Sequence, residues 1–216
     1  MRKKERTIRY MYWLIVPILI LTVGLAIYFY ADSYRFFKDY ISELGAHYTA
    51  ENEIDNHISS IIMSVGFGLC ASISMIISIT YFSSDFRNKF LKGALSLANA
   101  LGASLIAIPQ DKGNLIILHT LGAVLFIAGF GVLNFTLQLL RFVKNHQEIP
   151  KDRKFDYYLD ASMVVIVFIV IALLIIFFIP AELTKNPILL IISITLQKSV
   201  LLIDCLALLV LDLDDM

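Results

Sequence analysis

Charge is what this chain has least of. Asp, Glu, Lys and Arg make up 17% of its 216 residues, against about 25% in an ordinary soluble domain. The shortage is concentrated in windows of about 20 residues, the length a helix needs to cross a hydrocarbon core. A soluble fold is thereby excluded. Cysteine is nearly absent too. Cys70 and Cys205 both fall in apolar windows with no CxxC spacing, so neither a disulfide framework nor a four-ligand zinc site has anything to build on. Lys plus Arg equals Asp plus Glu at 18 each, and no basic stripe interleaved with aromatics lies outside the windows, which sets nucleic acid aside.

Apolar residues are abundant, at 58% with a mean hydropathy of +0.77. Six windows qualify as spans, at residues 10–30, 58–82, 93–110, 114–140, 158–180 and 188–210. The first follows Met1-Arg2-Lys3-Lys4-Glu5-Arg6, as a signal peptide would. Its apolar run from Trp13 to Tyr30 is too long for that, and no small-x-small cleavage site follows. No interspan stretch is long enough for a second domain. The expected fold is all-α, a polytopic membrane protein with six transmembrane helices in one bundle spanning 1–216.

Lys and Arg in short loops stay on the cytoplasmic side. Thirteen of them, in the segments 2–9, 87–92 and 141–154, fall on one side of the expected membrane, against Arg35, Lys38, Lys112 and Lys185 on the other. Both termini are therefore expected to be cytoplasmic, in the plasma membrane or an endomembrane.

Polar side chains within a span must face other helices or a cavity. The third span crowds Gly93, Ala94, Ser96, Ala98, Asn99, Ala100, Gly102, Ala103 and Ser104 together, which suits a central helix approached closely by its neighbours. Pro109 is expected to end or kink it. On the fourth, His119, Ala123, Phe126, Phe130 and Asn134 share one face, flanked by Gly122, Gly129 and Gln138. The second adds Ser64, Gly66, Gly68, Ser72 and Ser74. Two readings stand: a cavity between these spans, or tight packing with the serines bonded to their own helix.

Lys198 lies deep in the last span, where a lysine needs a partner or water. Asp204, six residues on, faces about 120° away and cannot close a direct pair. Lys198 is therefore expected to hold an anionic headgroup or a proton-coupling carboxylate, or to be tied to backbone carbonyls or another helix. The loop from Ala31 to His57 is acidic, and Phe36, Phe37, Tyr40, Ile41 and Leu44 recur at helical spacing. This predicts an amphipathic helix lidding the bundle at the outer interface. Glu43 and His47, with Asp55, His57 and His119 near the same surface, form a candidate metal or acid/base cluster. No HExxH or similar motif accompanies it, and the sequence names no cofactor.

Tyr40-Ile41-Ser42-Glu43-Leu44-Gly45, then Ala107-Ile108-Pro109-Gln110, then His119 followed by Gly122-Ala123, Phe126 and Gly129 resemble the Frag1/DRAM/Sfk1 family, also described as the Cwh43 amino-terminal domain. A related prokaryotic group of small six-span proteins is similar. The likeness covers residues 40 to 140. It implies six spans and work on membrane lipids, with Ser42, Glu43, Gly45, Gln110, His119, Gly122 and Ala123 at motif positions. Where the DRAM branch carries Glu-Trp in the last span, this chain has Gln197-Lys198, so an autophagy role does not follow.

The leading expectation is a non-enzymatic protein that binds or organises membrane lipids through an outward-facing polar pocket, with Ser42, Glu43, Gln110, His119, Asn134 and Lys198 as ligand-binding candidates. One alternative is an outward-facing lipid hydrolase or remodelling enzyme using Ser42, His47, His57, His119 and the nearby carboxylates, with or without zinc. Another is a proton-coupled solute transporter using Lys198 and Asp204.

Overall fold

The computed structural model describes residues 2–49, 51–109, 115–148 and 154–211. Six α-helices follow one another: α1 (Arg2–Tyr28), α2 (His57–Phe82), α3 (Lys89–Ile106), α4 (Leu115–Glu148), α5 (Lys154–Thr184) and α6 (Pro187–Leu209). Local chemistry sets several ends. Asn186 caps α6, its side-chain oxygen accepting from the N–H of Ile188 at 2.9 Å and of Leu189 at 3.4 Å, with Pro187 in the first turn. Lys185 before it and Asn88 before α3 both take left-handed backbone, at φ 51° and 59°, which lets the chain reverse sharply there.

Five of the six, all but α3, are long and apolar enough to cross a membrane, the architecture of an integral membrane protein. α5 shows why water is not its solvent. Phe168, Ile169, Ile175, Ile176 and Ile179 all lie exposed on it, a continuous apolar face that a soluble monomer would not leave bare.

The sixth expected span is the exception. α3 has 18 residues, about 27 Å at 1.5 Å each, and its Gly, Ser and Asn residues depress its hydropathy. It can be that polar because it is sandwiched between α2 and α4. The close approach depends on missing side chains. A Cβ on Gly102 would lie 2.4 Å from the Phe126 backbone nitrogen, and one on Gly122 would lie 2.7 Å from that of Ile106.

Side-chain bonds fix which helix ends lie together. Lys4 reaches Ser84 Oγ at 3.3 Å, Trp13 Nε1 donates to Leu208 O at 3.1 Å, and Arg141 donates to Val210 O at 2.7 Å and pairs with Asp160 at 3.1 Å. The start of α1, the α2–α3 turn, the start of α5 and the ends of α4 and α6 therefore share one end of the bundle. The 31–56 loop and the α5–α6 turn share the other, where Tyr40 Oη donates to Glu182 at 3.0 Å.

The lid differs from expectation. Residues 36–39 form a turn, and the only regular piece of the loop described is a 3-10 helix, Ile41–Gly45. The helical spacing breaks because Ile41 and Leu44 point into the bundle, whereas Phe36 and Phe37 stand exposed. The 3-10 helix ends at Gly45, so Glu43 and His47 do not share a helix face. His47 instead stacks on His57, with ring centroids 5.5 Å apart.

Candidate functional site

The loop's organising pair is Arg35 and Asp39. The Asp39 carboxylate accepts from the Arg35 backbone N–H at 2.6 Å and from its guanidinium Nη2 at 2.7 Å, closing the turn. Tyr34 Oη adds a bond to Asp39 O at 3.1 Å. Donating to Asp39 and, at 2.5 Å, to Glu51 pushes the guanidinium further toward its protonated form. The pair presents two main-chain carbonyls to α6. Lys198 Nζ donates to Phe36 O and, at 2.7 Å, to Asp39 O. Its charge also faces the rings of Phe36, 4.6 Å away, and Tyr34, 5.1 Å away. Of the two readings of Lys198, its bonds here are to backbone carbonyls.

Beside this ammonium, α1 and α6 stand apart. A cavity of about 490 Å³ opens between them, walled by Leu19, Val23, Gly24 and Ile27 of α1 and by Leu201, Leu202 and Cys205 of α6. Phe36 and Phe37 of the loop and Lys198 of α6 line it as well. Its size falls within the roughly 300–1,000 Å³ of small-molecule sites. The walls are mostly apolar, with hydroxyls from Tyr34, Thr195 and Ser199 and the ammonium as the one charge among the lining residues.

The other expected residues are placed as follows. Ser42 borders a small apolar cavity of about 30 Å³ with Met63, Ala123 and Phe126, room for about one water. Glu43 accepts the Tyr40 N–H at 3.2 Å and so caps the 3-10 helix. Burial pushes its carboxyl above the ordinary range, and the nearby Asp39 charge adds to this. His119 is buried, and its Nδ1 meets Ile108 O at 2.6 Å. A carbonyl only accepts, so Nδ1 carries the proton, and Nε2 is left without a partner among the described residues. The imidazole clips the start of α4 to the end of α3, against Gly45. Ser42, Glu43, His119 and Lys198 thus gather at the end of the bundle that carries the 3-10 helix. Asn134 does not, since fifteen residues along α4 place it roughly 22 Å away. Gln110 lies outside the described residues.

Among those residues no three His, Cys, Asp or Glu side chains gather closely enough to hold a metal ion. The sequence reading missed Asp39 and the α1–α6 gap. The first had a signal, the i, i+4 spacing of Arg35 and Asp39. The second had none, because a gap is a property of two helices from opposite ends of the chain. Compared with known proteins, the chain matches no family model, no curated protein and no solved structure.

Proposed function

We propose that this chain is a non-enzymatic membrane protein that binds a phospholipid, with acyl chain in the α1–α6 groove and phosphate at Lys198. The carrying observation is a largely apolar cavity of about 490 Å³ with one ammonium in its lining. An ammonium has three N–H donors. Two go to Phe36 O and Asp39 O, and the third has no acceptor among the described residues, so a phosphate oxygen can take it. Hydrophobic walls hold the chain, and the charge selects the headgroup.

Two further expectations belong to this reading. α3 crosses the membrane as a sixth span, shielded by α2 and α4, and the Lys- and Arg-rich end of the bundle faces the cytoplasm with both termini, which places Lys198 toward the outer leaflet. The resemblance of residues 40 to 140 to the Frag1/DRAM/Sfk1 family points to lipid work as well.

Native mass spectrometry of the purified protein tests the site. Lys198→Met is expected to lower phospholipid retention by about 10- to 100-fold, the range for a charge-assisted hydrogen bond of roughly 1.5–3 kcal/mol, while Lys198→Arg retains most of it. Lys198→Met also strips two carbonyls of their donor, so Gly24→Phe is the companion. It fills the groove from α1, where nothing lies within 4 Å of an added Cβ, and leaves Lys198 in place. Unchanged lipid retention in a folded Gly24→Phe protein would remove the proposal.

A further inference from the structure

A second polar cluster lies at mid-bundle, away from the groove. Asp204 on α6 and Asn134 and Gln138 on α4 are each no more than 1% exposed. Asp204 Oδ2 is aimed across at α4, 3.6 Å from where a Cβ on Gly131 would stand. The Asn134 amide flanks the same carboxyl, one turn along from Gly131. Gln138, the next turn, donates through Nε2 to Ala207 O at 2.7 Å, which brings its side chain to the α6 turn after Asp204. One of the two Asn134 Nδ2 donors goes to Phe130 O at 3.1 Å, and the same amide hydrogen-bonds the Asp204 carboxyl. Three acceptor atoms are left over: Asp204 Oδ2, Asn134 Oδ1 and Gln138 Oε1 have no hydrogen-bond partner among the described residues.

Among the described residues no charge balances this carboxyl. Lys198, on the same helix, is turned to the outer loop. Arg141, below Gln138 on α4, is committed to Asp160 of α5 and to Val210 O. From α5, Ile171 is the side chain that packs at Gly131.

We propose that Asp204, Asn134 and Gln138 bind one dehydrated alkali-metal cation between α4 and α6. Hard oxygen donors suit such an ion, and one carboxylate oxygen and two amide oxygens are the orphaned atoms of that kind. One proton on Asp204 would donate one hydrogen bond, meeting at most two of them. Charge selects a monovalent ion, since one carboxylate and two neutral amides cancel a single positive charge, whereas a divalent ion would leave net charge in the bundle interior.

The test is the melting temperature of purified full-length protein in sodium, potassium or choline chloride at equal ionic strength. One or both alkali salts are expected to raise it by several degrees over choline, saturably and with one-site behaviour. Gln138→Leu is expected to shift the half-saturating concentration upward by about tenfold, and Asp204→Asn to abolish the response. Identical melting in all three salts, a response that persists in Asp204→Asn, or a dependence on pH alone would overturn the proposal. Should Asp204→Asn not fold, the wild-type comparison against choline still decides. Lipid binding at Lys198 is read separately, so either proposal can fail without the other.

Discussion

The two sides of this bundle solve opposite packing problems. Along α2, α3 and α4, glycine and other small residues let backbones meet; Gly102 faces the Phe126 main chain and Gly129 faces Ala98 and Asn99. Along α1 and α6 the large side chains stand apart, and Gly24 has nothing within 4 Å of the Cβ it lacks. In a membrane, apolar surface gains little by leaving lipid for another helix, so close packing and polar bonds carry the association. The α1–α6 seam is tied by a polar bond at one end, Trp13 to Leu208 O, and where it has neither it stays open and can be filled by a lipid chain.

That contrast is broken most severely at Gly102. Gly102→Leu has to push the α4 backbone aside and is expected to cost about 3 kcal/mol, read as a large fall in melting temperature in detergent. Gly24→Ala is expected to leave melting within a degree or so of wild type. Equal losses at the two glycines would erase the distinction between the seams.

His119 sharpens the comparison at the end that carries the 3-10 helix. If the imidazole is a clip, His119→Ala orphans Ile108 O and costs about 2 kcal/mol, while phospholipid retention in the folded protein is unchanged. Loss of lipid without loss of stability would instead return the site to the α3–α4 side.

The smallest effect belongs to Glu43. Its carboxyl is held above the ordinary 4.5 by burial, so between that value and the raised one the folded state carries more proton than the unfolded state, and stability falls as pH rises. Glu43→Gln is expected to flatten this slope in pH-dependent melting and to keep the cap on the Tyr40 N–H. A slope unchanged by the substitution would assign it to another group.

Much of the architecture was legible in the residues. Long apolar windows marked the helices, because hydrocarbon demands internally bonded backbone over a fixed length. The crowd of small residues in α3 marked a central helix, though its polarity kept it outside the five helices apolar enough to span. The lid was misread because spacing at Phe36, Phe37, Ile41 and Leu44 suits a helix equally well when only half the residues turn inward. The site was legible only in part. Lys198 stood out because a lysine that deep needs a partner, but that the partner was a turn shaped by Arg35 and Asp39, some 160 residues earlier, depends on tertiary structure. Asn134 sits on the same α4 face as His119 yet serves a different neighbourhood, because a helix face runs the full depth of the membrane.

The most direct measurement is a structure of the protein in phospholipid nanodiscs. The account predicts an acyl chain in the groove between α1 and α6, with a phosphate oxygen within hydrogen-bond distance of Lys198 Nζ. A groove closed by its own side chains, or lipid there with no contact to Lys198, would contradict it.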